Sequence, residues 1–123
     1  MSQGERFPRA ARLRSTRDIR AAFREGRRVA RGELELFARG SDAGRPRAAV
    51  VVPTHGRTIV ERNRLRRRLR ELLRREWLPG ASEEGLAVDL VVRTRPGAYG
   101  LEFDALRRTL LEALGELTWP RGS

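Results

Sequence analysis

Apolar positions along the chain fall into six segments with two different periods. Ser15 offers a side-chain cap, with Asp18 three residues on, and Ile19, Ala22 and Phe23 follow at helical spacing before Gly26. This predicts a short helix over about 16–25. Glu33-Leu34-Glu35-Leu36-Phe37-Ala38-Arg39 alternates, which predicts a strand with Leu34 and Leu36 on one face and Glu35 and Phe37 on the other. After a Gly- and Pro-containing turn at 40–46, Arg47 to Val52 is a continuous β-branched run, the pattern of a strand covered on both faces, and Pro53 ends it. Leu65, Leu69, Leu72 and Leu73 then recur at i, i+4, i+7 and i+8, one stripe of a helix expected to end near Pro79-Gly80. Ala87 to Arg93 reads as another strand, turning at Arg95-Pro96-Gly97. Phe103, Leu106, Leu110, Ala113, Leu114 and Leu117 mark a last amphipathic helix over about 102–117. The order helix, strand, strand, helix, strand, helix predicts a two-layer α/β (α+β) sandwich with helices against one sheet. Residues 1–14 read as a basic N-terminal arm, 15–118 as a single domain, and 119–123 as a short tail.

Charge changes this picture most. The 123 residues carry 27 basic side chains against 16 acidic ones, a formal charge of +11, and every basic residue is arginine. An all-arginine composition by itself fits an arginine-rich coding background and a solvated surface. Clustering does not. Between Arg62 and Arg75 there are eight arginines and one glutamate, a net +7 within a single helix. Arg64/Arg68, Arg66/Arg70 and Arg70/Arg74 are like-charge i, i+4 pairs, each opposing helix formation by about 0.2–0.5 kcal/mol. A polyanionic partner that neutralises them explains their retention. At 100° per residue, Asn63, Arg67, Arg70 and Arg74 point away from the leucines, with Arg64, Arg68 and Arg75 flanking them.

Arginine suits phosphate because its planar fork binds two oxygens at once and stacks on bases. RNA is the better partner than DNA: no helix-turn-helix or zinc-finger spacing is present, and an aromatic residue on a sheet face suits unpaired bases. Phe37 is the candidate for such stacking, although it could equally pack beneath a helix. Other chemistry is poorly provided for. The chain has no cysteine and one histidine, His55. It shows no metal-ligand cluster, no paired carboxylates and no glycine pattern of a phosphate loop or dinucleotide fold. No apolar run approaches the roughly 20 residues that span a bilayer, and Met1 to Arg6 lacks the apolar stretch of a secretory signal. A cytoplasmic location is expected.

Arg62-Asn63-Arg64-Leu65-Arg66-Arg67-Arg68-Leu69-Arg70-Glu71 closely resembles the Arg-Asn-Arg signature of the bacterial ribonuclease P protein component. Arg12-Leu13-Arg14, Asp18, Phe23 and Gly26 resemble the opening helix of that family, and Phe37 falls where its first long strand carries an aromatic. Arg47 to Val52, Asp89 to Arg93 and Arg95-Pro96 match the strands around the signature, so most of residues 12–114 is covered. The resemblance implies a four-stranded sheet with three helices, in the order α-β-β-(β)-α-β-α, and a left-handed βαβ crossover. It also implies an accessory subunit of an endoribonuclease, in which a catalytic RNA holds the magnesium ions and removes the 5′ leader of precursor tRNA. One protein would serve each RNA. Carried over residue by residue, Arg62, Asn63, Arg64, Arg66, Arg67 and Arg70, with Arg12 and Arg14, would face the catalytic RNA. Ile19, Phe23 and Phe37, with Arg57, would line a leader-binding cleft between the first helix and the sheet.

Two departures stand out. Ile19 replaces an aromatic often found in that cleft. Pro53-Thr54-His55-Gly56-Arg57-Thr58-Ile59-Val60 replaces a stretch that usually carries two more cations and a Gly-Asn-Ala-Val run. A ribosomal or other structured-RNA-binding protein with no part in cleavage is the alternative reading of the same basic helix, and a free-standing nuclease is disfavoured by the missing catalytic groups.

Overall fold

The computed structural model describes residues 7–117 and Trp119. Helix α1 spans Thr16–Glu25, and the Ser15 hydroxyl accepts a hydrogen bond from the Asp18 amide, the cap its sequence predicts. Gly26 follows because nothing larger fits: an added Cβ would lie 2.5 Å from the Ala22 carbonyl oxygen and 3.0 Å from that of Ala38. Strand β1 (Arg27–Arg31) then turns through Gly32, at φ +51°, and Glu33 into β2 (Leu34–Gly40), a two-residue hairpin. Strand β3 is Arg47–Val51, helix α2 is Ile59–Glu76, α3 is Leu78–Glu83, β4 is Val88–Thr94 and α4 is Phe103–Glu116.

The sheet order is β1-β2-β4-β3. β2 is antiparallel to both neighbours, whereas β3 and β4 are parallel and adjacent, joined by a crossover through α2 and α3. Period-two alternation assigns the faces. Leu34, Leu36 and Ala38 of β2, Ala48, Val50 and Val52 along β3, and Val88, Leu90 and Val92 of β4 bury against Leu65, Leu69, Leu72 and Leu73 of α2 and Leu106, Leu110 and Ala113 of α4. The leucine stripe is thus core. On the opposite face, Phe37 and Val91 pack under Ala22 of α1 and Leu13.

The α+β architecture and four-stranded sheet agree with expectation, and the details differ at four places. The strand that the hydrophobic pattern does not locate is the first in sequence, not one after residue 40. β1 is an edge strand of composition Arg-Arg-Val-Ala-Arg, exposed on most of its length, so it has no alternation to read. Helix α2 ends at Glu76, and Pro79-Gly80 falls inside α3, because proline fits the first turn of a helix as well as it ends one. β3 is not covered on both faces: it is the other edge strand, and Ala49 and Val51 are only half-buried. Finally, α1 lies on the sheet face opposite α2 and α4, so helices cover both faces.

The described residues nearest the two ends pack against the domain. Phe7, Ala11 and Leu13 are buried, and Arg12 bridges to Ala48. Trp119 stacks on Trp77 with ring centroids 6.0 Å apart. Residues 1–6, 118 and 120–123 lie outside the described residues.

Candidate nucleic-acid interface

Helix α2 presents its arginines as one surface because its leucines occupy the other. A capping box fixes its start: the Thr58 hydroxyl accepts from the Glu61 amide at 3.1 Å, and the Glu61 carboxylate accepts from the Thr58 amide at 3.0 Å. From there Asn63, Arg64, Arg67, Arg70 and Arg75 are exposed, while Arg62, Arg66 and Arg68 are half-buried. Arg62 donates to the Val52 carbonyl at 3.4 Å, and Arg66 donates to the Asn63 side-chain oxygen at 2.6 Å. Arg74 is drawn away to Glu71, 2.7 Å distant, and does not join the open face.

Arg64, Arg67, Arg68 and Arg70 line a concavity of about 820 Å³ together with Arg12, Glu71, Phe7 and Phe103. Among the described residues these four α2 arginines pair with no carboxylate. Partial desolvation of its guanidinium is the main reason that the proton affinity of Arg70 is lowered, and the charges of Arg12, Arg66 and Arg14 lower it further. The folded chain places Arg12 in the groove beside the basic helix and the charge of Arg14 within reach of Arg70. A concentration of unneutralised guanidinium groups on a rigid helix is a surface for a polyanion with closely spaced phosphates.

The second site lies under α1. Phe23 and Phe37 meet edge to face, 4.9 Å between ring centroids at 87°. Ile19, Ala49 and Val51 border them, all half-buried. Phe37 is only 4% exposed, which resolves the two readings left open by the sequence: it is the floor under Phe23, not a free stacking platform. Ile19 and Phe23 form the accessible apolar wall. Arg57 does not join this cleft. Its partners are Glu61, at 3.2 Å, and the Tyr99 ring, 4.8 Å from the guanidinium carbon, so it belongs to the start of α2.

An ion-pair network positions α1 over the sheet. Arg47 on β3 donates twice to the buried Asp89 of β4, at 2.9 Å each, and reaches Asp18 of α1 at 3.4 Å. Asp89 is 1% exposed. Its hydrogen bond to Arg47 is the main reason that the guanidinium is held more firmly protonated than usual.

The chain is similar over most of its length to known proteins. A profile of the family described as Ribonuclease P matches residues 7–118. The ribonuclease P protein component of Acidothermus cellulolyticus is 35% identical over 121 residues, covering 95% of this chain and 96% of its own. The chain belongs to the ribonuclease P protein family. The ribonuclease P protein component of Halorhodospira halophila is 36% identical over 120 residues, covering 95% of this chain and 90% of its own. The RNase P protein of Thermotoga maritima has the same fold: TM-score 0.72, 26% identity, covering 87% of this chain and 97% of that one.

Within the ribonuclease P protein framework, the structure gathers Arg64, Arg67, Arg68 and Arg70 with Arg12, brings the charges of Arg14 and Arg66 to bear on Arg70, and joins Ile19 with Phe23 and Phe37, whereas Arg62 reaches the Val52 carbonyl. It also displays residues that pattern reading passed over. Phe7 and Phe103 complete the groove beside α2. Arg28, Arg93 and Arg95 surround Glu35 on the cleft face. Glu35 was legible as sharing a face with Phe37, but its arginine partners come from two other strands and a turn, and only the register of the sheet reveals them.

Proposed function

We propose that this chain is the protein subunit of a ribonuclease P holoenzyme that grips two RNA segments on two separate surfaces. The α2 face, with Arg12 and Arg14, binds the catalytic RNA subunit. The cleft between α1 and the sheet binds the single-stranded 5′ leader of precursor tRNA. One observation carries the reading: the arginines lining the α2 groove have no carboxylate partners among the described residues, whereas those on the cleft face are organised around one. The first surface suits dense duplex phosphate. The second combines apolar wall and cation, which suits an unpaired strand.

The protein's own groups are suited to binding and orientation. Among the described residues no three carboxylates or histidines gather into a cation site, and Asp89, Glu35 and Glu71 are each committed to arginine. These residues do not fit a tightly held divalent ion, so the proposal places magnesium, and the cleavage chemistry it supports, on the RNA. The protein contributes by raising the affinity for leader-bearing substrate and by neutralising phosphate repulsion in the folded RNA. One protein per RNA and action in the cytoplasm complete the reading. Among the described residues no helix is long and apolar enough to cross a membrane.

The leader assignment is tested by measuring binding of precursor and mature tRNA to the catalytic RNA with and without this protein. The expected result is that the protein tightens the precursor about tenfold more than the mature tRNA, within the range of stacking at about 1–3 kcal/mol per base. Equal tightening of the two would show that the cleft does not hold the leader.

A further inference from the structure

Helix α1 has an inner and an outer side. Ala21 and Ala22 are buried against the sheet, and Ile19 and Phe23 border the cleft. At 100° per residue, Arg17, Arg20 and Arg24 fall within about 60° of one another on the side opposite Ala22. All three are exposed, with 91% of the Arg17 side chain and 67% of the Arg24 side chain open to solvent. The row continues past both ends of the helix: Arg14, Arg17, Arg20, Arg24 and Arg27 recur at intervals of three, three, four and three. Arg17/Arg20 and Arg20/Arg24 are like-charge pairs at i, i+3 and i, i+4 that oppose helix formation, so a partner that neutralises them explains their retention.

The two acidic residues of α1 turn mainly to the sheet. Asp18 accepts from Arg47 of β3 at 3.4 Å, and Glu25 accepts from Arg39 of β2 at 3.0 Å. The hydrogen bond from Arg39 is the main reason that the Glu25 carboxyl is held below the usual carboxylate range. Each lies farther from its neighbour in the row: 4.0 Å separates Asp18 from Arg17, and 3.4 Å separates Glu25 from Arg24. Arg14, Arg20 and Arg27 pair with no carboxylate among the described residues. The same two ties hold α1 on the sheet, so its outer arginines stand on a fixed platform, which limits the ordering cost of binding.

This row joins the basic face of α2. The Leu13 amide donates to the Ala48 carbonyl at 2.9 Å and Arg12 bridges to Ala48, so the chain before α1 runs along the edge strand β3. Arg12 lines the α2 groove, and the charge of Arg14 reaches Arg70. Positive charge thus passes around the β3 edge from one face of the sheet to the other, and Arg17 takes it up three residues later. No aromatic stands in the row, since Phe23 turns inward to Phe37. Guanidinium groups without a stacking surface recognise phosphate and not bases, which suits a duplex, where the bases are paired and turned inward.

We infer that Arg17, Arg20 and Arg24 on the outer side of α1, with Arg14 and Arg27 at either end, bind the phosphate backbone of a duplex segment of the catalytic RNA. The inference rests on the α2 face binding that RNA and extends its footprint around the β3 edge. The leader cleft on the inner side of α1 takes no part in it.

The test measures binding of the full-length protein to a bacterial ribonuclease P RNA across a salt titration, without tRNA. Arg17→Gln/Arg20→Gln/Arg24→Gln keeps good helix formers on α1. It is expected to weaken binding about tenfold near physiological salt and to make the salt slope shallower by about two to three, as for three duplex phosphate contacts. Lysine at the same three positions should recover most of the slope, which guards against a folding defect. Arg31→Gln/Arg107→Gln/Arg108→Gln removes equal charge from β1 and α4 and should change the slope by less than about one. An unchanged slope in the α1 variant would make the row a solvated surface and overturn the inference. Equal losses in the α1 and control variants would overturn it as well, because net charge and not contact would then set affinity. Normal binding of the catalytic RNA, with precursor and mature tRNA weakened equally in the holoenzyme, would assign the row to the tRNA body instead. Arg64→Ala/Arg67→Ala/Arg70→Ala separates this inference from the reading beneath it. If that variant lowers the slope and the α1 variant does not, the α2 face stands and the band ends at Arg14. If only the α1 variant lowers it, the row holds RNA by itself and the α2 reading fails; if neither does, both fail.

Discussion

Simultaneous replacement of Arg64, Arg67 and Arg70 by alanine is expected to cost roughly a hundredfold in affinity for the catalytic RNA near physiological salt. All three line the groove beside α2 and none has a carboxylate partner among the described residues. Each phosphate contact contributes about 0.7–0.9 to the dependence of log affinity on log salt, so the slope should become shallower by about two to three. Stability should move the other way or not at all. Alanine is the best helix former, the leucine stripe is untouched, and removing Arg70 takes away a guanidinium that is partly desolvated and repelled by Arg12, Arg66 and Arg14. Salt-dependent RNA binding and urea unfolding of the same variant therefore separate interface from scaffold. An unchanged salt slope would make α2 a passive surface.

Arg47→Ala is expected to be the most damaging single change outside the apolar core. It leaves the Asp89 carboxylate, 1% exposed, without the two hydrogen bonds that compensate its burial. Breaking one partner of a buried pair costs about 3–5 kcal/mol, a large fraction of a small domain's roughly 5–15 kcal/mol. The same change releases Asp18, so α1 loses a tie to the sheet and the cleft its shape. Urea denaturation measures the loss. Removing both partners in Arg47→Leu/Asp89→Leu should cost much less than Arg47→Ala. A loss below about 1 kcal/mol for Arg47→Ala would mean that water reaches Asp89 readily.

What could be read from the sequence follows from where each signal originates. The buried stripe of α2 was legible because Leu65, Leu69, Leu72 and Leu73 repeat at a helical period against arginine, so the open face follows by elimination. The cap of α1 and the faces of β2 were legible for the same local reason. Strand β1 was not, because an edge strand of arginines needs no apolar alternation, and its pairing with β2 depends on a turn at Gly32-Glu33. The α2–α3 break has no local signal of its own, because Pro79 can begin a helix as well as end one. Phe37 was ambiguous for a deeper reason: alternation assigns it to a face but not to what covers that face, and α1 covers it. Arg57 lies with Glu61 and Tyr99 and not in the cleft, because the 53–60 loop that carries it diverges from the pattern that the resemblance implies. The Arg28–Glu35–Arg93–Arg95 cluster joins residues up to 67 positions apart in sequence, and only sheet register brings them together.

The central claim is that this protein binds and orients RNA while its RNA partner cuts. The direct measurement is cleavage of precursor tRNA across a magnesium titration by the protein alone, by a bacterial ribonuclease P RNA alone, and by the two combined. The account predicts no cleavage by the protein alone and a lower magnesium requirement for the RNA once the protein is added. Cleavage by the purified protein without RNA, or an RNA whose magnesium requirement the protein does not change, would contradict it.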